Sequence, residues 1–173
     1  MQALPRVPKD RIGVLIGKMG ETRKALQKAS GCKYLDVDSD TGDVSVNWGE
    51  PGSYDLIKSM KLPEVIKAIG RGMAPAKAIK LLEDSYYFQL IEIKNYVGKK
   101  VNQQRRIRAR LIGTSGKIRR LIERHSRCEI SVFGGTVVVI GNEEGLPLAV
   151  EAINMLLSGS EHGSVIKYLE RQQ

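Results

Sequence analysis

The sequence predicts an α+β protein made of two copies of one small unit, each a three-stranded sheet packed against three helices. Three observations carry this expectation. Leu15-Ile-Gly-Lys-Met-Gly20 recurs as Leu111-Ile-Gly-Thr-Ser-Gly116 at an offset of 96 residues, and a fixed internal offset marks a repeated structural unit. The same offset carries Leu26 onto Ile122, Ser30 onto Ser126 and Cys32 onto Cys128. In both copies a helical apolar pattern is followed by short alternating runs, the order of helices packed on a hairpin. At roughly 150 residues per domain, a chain of 173 residues accommodates two small domains. The expected boundary lies near Asp84, giving domains 1-84 and 85-173, the second with a C-terminal tail.

The elements follow in order. Ala3 to Val7 reads as a first strand weakened by Pro5 and Pro8. Asp10 is placed as the N-cap of a short helix whose apolar face is Ile12, Leu15 and Ile16. A turn over Gly17–Gly20 interrupts it. A second helix runs from Glu21 to about Ser30, with Thr22, Ala25, Leu26 and Ala29 on one face. Ile118, Leu121, Ile122 and His125 repeat that face. Tyr34 to Asp38 and Val44 to Trp48 form a hairpin around Asp40-Thr-Gly42. A helix from Ser53 to Ile69 is expected to break near Pro63, Gly70-Arg-Gly72 ends it, and Pro75 to Glu83 makes a connecting helix. The second copy opens with a strand from Tyr87 to Ile93. Its hairpin is Glu129 to Phe133 with Thr136 to Ile140, turned at Gly134-Gly135, and its last helix is Glu143 to Leu157. A polar tail containing His162 follows.

Charge narrows the partner. Lys plus Arg is 28 and Asp plus Glu is 19, a net charge of +9, which suits a polyanion. The excess is concentrated: Lys99 to Arg127 holds eleven basic residues and one acidic one, whereas the matching span Ala3 to Gly31 holds seven and two. The first hairpin adds Asp36, Asp38, Asp40 and Asp43 against Lys33 alone. The second copy is therefore expected to bind a nucleic acid more strongly, helped by Arg105, Arg106, Arg108 and Arg110. The first copy is expected to bind more weakly or to serve partly as a protein-contact face. No apolar run reaches the roughly 18 residues of a membrane span, so no membrane partner is expected. The start Met1-Gln-Ala-Leu-Pro-Arg shows no signal core, which predicts a cytoplasmic protein. Cys32 and Cys128 hold matching places in separate copies, so no disulfide between them is expected.

The repeated Gly-x-x-Gly turn carries the chemistry. Where a helix begins at such a turn, its unpaired N–H groups and positive dipole end face whatever lies there, and a phosphate fits. Gly17, Lys18, Met19 and Gly20 form one candidate clamp, and Gly113, Thr114, Ser115, Gly116 and Lys117 the other, flanked by Arg23, Arg119 and Arg120. Arg106, Arg108 and Arg110 are placed with the second clamp. Ile12, Leu15 and Val37, with Ile107, Leu111 and Val132, are the expected groove walls.

Enzyme chemistry finds no constellation. Gly13-Val-Leu-Ile-Gly-Lys-Met19 is one residue short of a phosphate-binding loop and has Met where Mg²⁺ needs a hydroxyl. Asp36 to Asn47 lacks the terminal Glu of a calcium loop. His125 and Cys128 are too few for a closed zinc site. No catalytic residue, metal or cofactor is expected.

Strand, helix, Gly-x-x-Gly, helix, strand, strand, helix resembles the type I KH domain, a module that clamps about four nucleotides of single-stranded nucleic acid. The resemblance covers nearly the whole chain, twice. Arg23 and Arg119 stand where common KH domains carry an apolar residue. With Gly70-Arg-Gly72, Ile91-Glu-Ile93, Arg110 to Lys117, Cys128-Glu-Ile130 and Leu157-Ser-Gly-Ser160, they make the chain similar to the partner-of-Nob-one family in a compact archaeal form. Thr114 replaces a lysine of that family's loop. The resemblance implies a non-enzymatic protein binding the 3′ region of small-subunit ribosomal RNA during ribosome biogenesis and rRNA processing. It also implies a maturation endonuclease, or another ribosome or translation factor, as partner. A general mRNA-binding regulator and a protein-interaction adaptor on KH folds are the alternatives.

Overall fold

The computed structural model describes residues 1–172, and the chain divides into two compact units between Tyr86 and Tyr87. In the first unit, β1 (Gln2–Leu4), β2 (Tyr34–Val37) and β3 (Val44–Asn47) form an antiparallel sheet in the order β1-β3-β2. Helices α1 (Lys9–Ile16), α2 (Glu21–Ser30) and α3 (Leu56–Gly70) accompany it, with a short α4 (Pro75–Ala78) and a 3₁₀ turn over Ile79–Leu82. In the second unit, β4 (Tyr87–Glu92), β5 (Glu129–Phe133) and β6 (Thr136–Gly141) take the order β4-β6-β5. Its helices are α5 (Lys94–Val97), α6 (Val101–Ile112), α7 (Lys117–Ser126), α8 (Gly145–Leu157) and α9 (His162–Arg171). Both units are α+β and share one topology. Helices α2 and α7 start and end 96 residues apart, as the repeat requires.

Alternation sets the sheet faces. Val44 and Val46 are buried while Ser45 and Asn47 are half-buried, so the central strand turns its valines inward, Val46 opposite the equally buried Leu35. In the second unit Val137 and Val139 meet Ile107, Leu111, Ile122 and Ile153. On α2 the buried residues are Leu26 and Ser30, and Ala25 is exposed, so the core-facing stripe is narrower than the periodicity predicts.

Local chemistry explains where the elements depart from expectation. Helix α1 starts at Lys9 behind an extended Pro8, which places Asp10 in the first turn and not at the N-cap; a carboxylate there still favours the dipole. Helix α3 is continuous through Pro63. A mid-helix proline costs about 3 kcal/mol, and burial of Leu62, Val65, Ile66, Ala68 and Ile69 offsets it. The helix begins at Leu56, where Asp55 accepts from the amides of Ile57 at 2.8 Å and Lys58 at 3.2 Å. The tail is not irregular: α9 buries Val165 and Leu169 on one face. The single tryptophan packs, its ring 5.3 Å from that of Tyr54 and its Nε1 donating to Gln2, whereas Tyr87 is exposed. Both cysteines are free and buried, and burial pushes the Cys128 thiol up, away from its reactive form.

The first hairpin is fixed at its acidic tip. Asp38 accepts from the amides of Asp40 and Thr41, both at 2.8 Å. These bonds hold its carboxyl below the ordinary aspartate value. A depressed folded-state value means the turn's stabilisation is present above the unfolded value and is lost as pH falls through the folded one. An NMR titration of Asp38 is therefore expected to show a midpoint below that of an unstructured aspartate, with the Asp40 and Thr41 amide shifts moving in step. A normal midpoint would contradict the capped turn.

Candidate nucleic-acid interface

The two Gly-x-x-Gly turns are the same object built twice. Gly17 has φ 74° and ψ 169°, and Gly113 has φ 74° and ψ 174°. Glycine alone visits that region freely. A Cβ on Gly17 would lie 2.7 Å from the Thr22 nitrogen, and one on Gly113 would lie 2.9 Å from the Ile118 nitrogen. The backbone passes so close to the next helix that no side chain fits. Gly20 and Gly116 are left-handed, and their amides close the turns by donating to Gly17 and Gly113 carbonyls at 3.1 Å.

Between the glycines, Met19 (φ 52°) and Ser115 (φ 54°) are also left-handed. A non-glycine residue in that region costs about 1–2 kcal/mol, so each turn holds a strained residue at its tip. Met19 is 87% exposed. Neither α2 nor α7 has a side-chain N-cap. The Glu21 and Lys117 amides donate back to the Lys18 and Thr114 carbonyls of the turns, and no side chain covers the positive end of either helix, beside exposed Lys18 in one unit and exposed Lys117 in the other. That is a cradle for an anion.

Behind each turn lies a second repeated device. Arg23 donates to the Leu35 carbonyl at 2.8 Å, and Gln27 Oε1 accepts from the Leu35 amide at 3.4 Å. In the second unit Arg119 donates to the Ile130 carbonyl at 3.3 Å and Glu123 Oε1 accepts from the Ile130 amide at 3.0 Å. Both backbone groups of one residue on the edge strand are thereby taken by the neighbouring helix. This protects an edge that would otherwise pair with another chain, and it explains why arginine stands at these two positions. The pairing of Gln27 with Glu123 was not singled out from the sequence. Its signal was present, since both lie four residues after the repeated arginine and both carry an acceptor oxygen.

The other expected residues divide. Arg106, midway along α6, and Arg120, on the first turn of α7, are exposed. Arg108 donates to the Gly134 carbonyl at 2.7 Å and fastens the hairpin. Arg110 donates to the Ser160 carbonyl, and its own carbonyl meets His162 Nε2 at 3.0 Å, so it joins α6 to the start of α9. Among the expected groove walls, Ile12 is 5% exposed, Leu15 0%, Ile107 8% and Leu111 2%, so these four belong to the cores. Periodicity marks the apolar side of a helix but not whether protein or solvent covers it. Val37 and Val132 are half-buried on the edge strands and remain available.

Comparison with known proteins agrees with this geometry. Residues 87–173 match the family profile of the second KH domain of partner-of-Nob-one proteins, described as a eukaryotic-type KH domain (KH-domain type I). Residues 4–53 match the KH domain. The chain is 40% identical over 168 residues to a KH domain-containing protein of Methanocaldococcus jannaschii, covering 97% of this chain and 72% of the relative. It is similar to the crystal structure of Dim2p from Pyrococcus horikoshii, with a TM-score of 0.87, 38% identity and 99% of both chains covered. It is also similar to a chain of the a/eIF2alpha–aDim2p–rRNA complex of the same organism, with a TM-score of 0.88, 38% identity and coverage of 99% and 93%. A protein of unknown function from Aeropyrum pernix gives a TM-score of 0.89 at 34% identity, covering 97% of this chain and 88% of its own. Two KH units with matched Gly-x-x-Gly turns, similar throughout to Dim2p, make this chain a tandem KH-domain protein of the partner-of-Nob-one family.

Proposed function

We propose that this protein binds single-stranded RNA in the 3′ region of small-subunit ribosomal RNA, acting in ribosome biogenesis without catalysis of its own. The observation that carries the reading is the pair of uncapped helix starts behind turns of matching torsions. Each cradle takes a phosphate, the half-buried Val37 or Val132 lies along the edge strand, and lysine adds charge at the turn. The ribosomal RNA in the complex that contains the similar Dim2p chain supports the choice of RNA.

The second unit is the stronger binder, because its span from Lys99 to Arg127 carries a balance of +10, eleven basic less one acidic, against +5, seven less two, for Ala3 to Gly31. The first unit binds RNA more weakly and also offers a protein face: four aspartates on its hairpin, and exposed Leu56, Ile57 and Met60 on the first turns of α3. A translation factor is a fitting partner, given the a/eIF2alpha in that same complex. The maturation endonuclease is a second.

The test places carboxylates in the clamps without disturbing the fold. Thr114 and Ser115 are exposed, and aspartate tolerates the left-handed conformation at Ser115. Thr114→Asp with Ser115→Asp is expected to leave the melting temperature unchanged and to weaken RNA binding by about tenfold or more, through repulsion and lost phosphate contact. Lys18→Asp with Met19→Asp is expected to cost less. Fluorescence anisotropy with RNA of the rRNA 3′ end measures both, and a larger loss from the first unit would reverse the ranking. Crosslinking in cells that recovers messages and no small-subunit rRNA would favour the mRNA-regulator reading.

A further inference from the structure

The second unit carries a basic stripe that starts at the clamp with Lys117 and Arg120 and continues past it through Arg124 and Arg127. Lys117, Arg120 and Arg124 follow at spacings of three and four along α7, which puts them on one helix face, and Arg127 stands at the C-cap just beyond its end. All four are exposed, and among the described residues none makes a hydrogen bond or ion pair. Arg119 and Glu123 are committed elsewhere, to each other and to the edge strand, and Ile118, Ile122 and Ser126 face the core. The stripe begins beside Gly116 and runs about 15 Å, at 1.5 Å per residue. Arg120, Arg124 and Arg127 line one open surface hollow with Glu123, Cys128 and Glu129.

Arg127 marks the stripe as more than a solvated helix face. It is the C-cap of α7, in the left-handed conformation at φ 57°. The equivalent position of α2 is Gly31 at φ 73°, the residue that such a helix end favours. Arginine is held there against its backbone preference, and strain of that kind gathers at functional sites. The first unit lacks the stripe: its equivalents are Glu21, Lys24, Lys28 and Gly31.

We propose that the outer face of α7 is a second phosphate-binding track, which holds the backbone of RNA continuing beyond the nucleotides in the Gly113–Gly116 clamp. This deepens the RNA-binding reading and rests on it. The face offers cations with no aromatic side chain, so it holds backbone without reading bases, and RNA long enough to leave the clamp gains affinity from it.

The test is Arg124→Ala with Arg127→Gly, which leaves the clamp residues intact. An RNA of about six nucleotides fills one clamp, and one of about sixteen extends past it. The variant is expected to bind the short RNA as the wild type does and the long RNA about tenfold more weakly. Its salt slope on the long RNA should fall by about 1.4, at 0.7 per lost contact. Arg127→Gly alone is expected to keep or raise the melting temperature, whereas arginines serving only the helix dipole would lower it on removal. Equal affinity of variant and wild type for the long RNA overturns the track, as does an equal loss on both lengths. Wild-type protein that binds neither RNA would instead overturn the RNA-binding reading itself.

Discussion

Replacing Gly113 by alanine is expected to destabilise the second unit by about 3 kcal/mol and to remove its RNA binding. Two costs combine. The backbone at φ 74° and ψ 174° lies in a region essentially closed to side chains. The new Cβ would also sit 2.6 Å from Ile118 Cγ1 and 2.9 Å from the Ile118 nitrogen. The nitrogen is backbone at the start of α7, so relief comes only by moving the helix start that makes the cradle. Gly116→Ala is the matched control. Its Cβ meets no backbone but the ends of two long side chains, Arg120 at 3.1 Å and Arg119 at 3.8 Å, and the left-handed backbone costs about 1 kcal/mol. Urea unfolding followed by circular dichroism should rank Gly113→Ala well below Gly116→Ala. Equal midpoints would show that the close approach is not a constraint.

The edge-strand clamp gives the second large effect. Glu123→Ala is expected to cost about 2 kcal/mol, because it strands the Ile130 amide and leaves Arg119 without its carboxylate. The Glu123 side chain is only 15% exposed, so water replaces these bonds poorly. Glu123→Gln is expected to cost less than about 1 kcal/mol, since Gln27 accepts from the Leu35 amide at the same place in the first unit. The internal repeat thus supplies its own conservative variant. Denaturant midpoints of the two substitutions check this, and a glutamine variant as damaged as the alanine one would mean that the charge, and not the amide bond, holds the strand.

Much of this molecule was legible in order of residues. The offset of 96 located both turns and both following helices, alternation and turn residues located both hairpins, and α2 and β5 match their expected bounds. Helix–turn–helix and hairpin are local structures, decided by periodicity and turn residues within a few positions. The tail helix α9 was missed because its composition is largely polar and Val165, Tyr168 and Leu169 anchor it to a surface supplied by distant residues. Pro63 misled for the same reason: its cost is local, whereas the burial that outweighs it is not.

The tertiary structure alone separated the arginines. By sequence, Arg106, Arg108, Arg110, Arg119 and Arg120 are one cationic cluster. In the fold, Arg108, Arg110 and Arg119 donate to backbone carbonyls 26, 50 and 11 residues away, while Arg106 and Arg120 are exposed. It likewise moved Ile12, Leu15, Ile107 and Leu111 from groove to core. Sequence settles which residues are charged or apolar and what local backbone they favour. Whether a guanidinium faces a carbonyl or water depends on what the chain folds back against it, and that is set by contacts far apart in sequence.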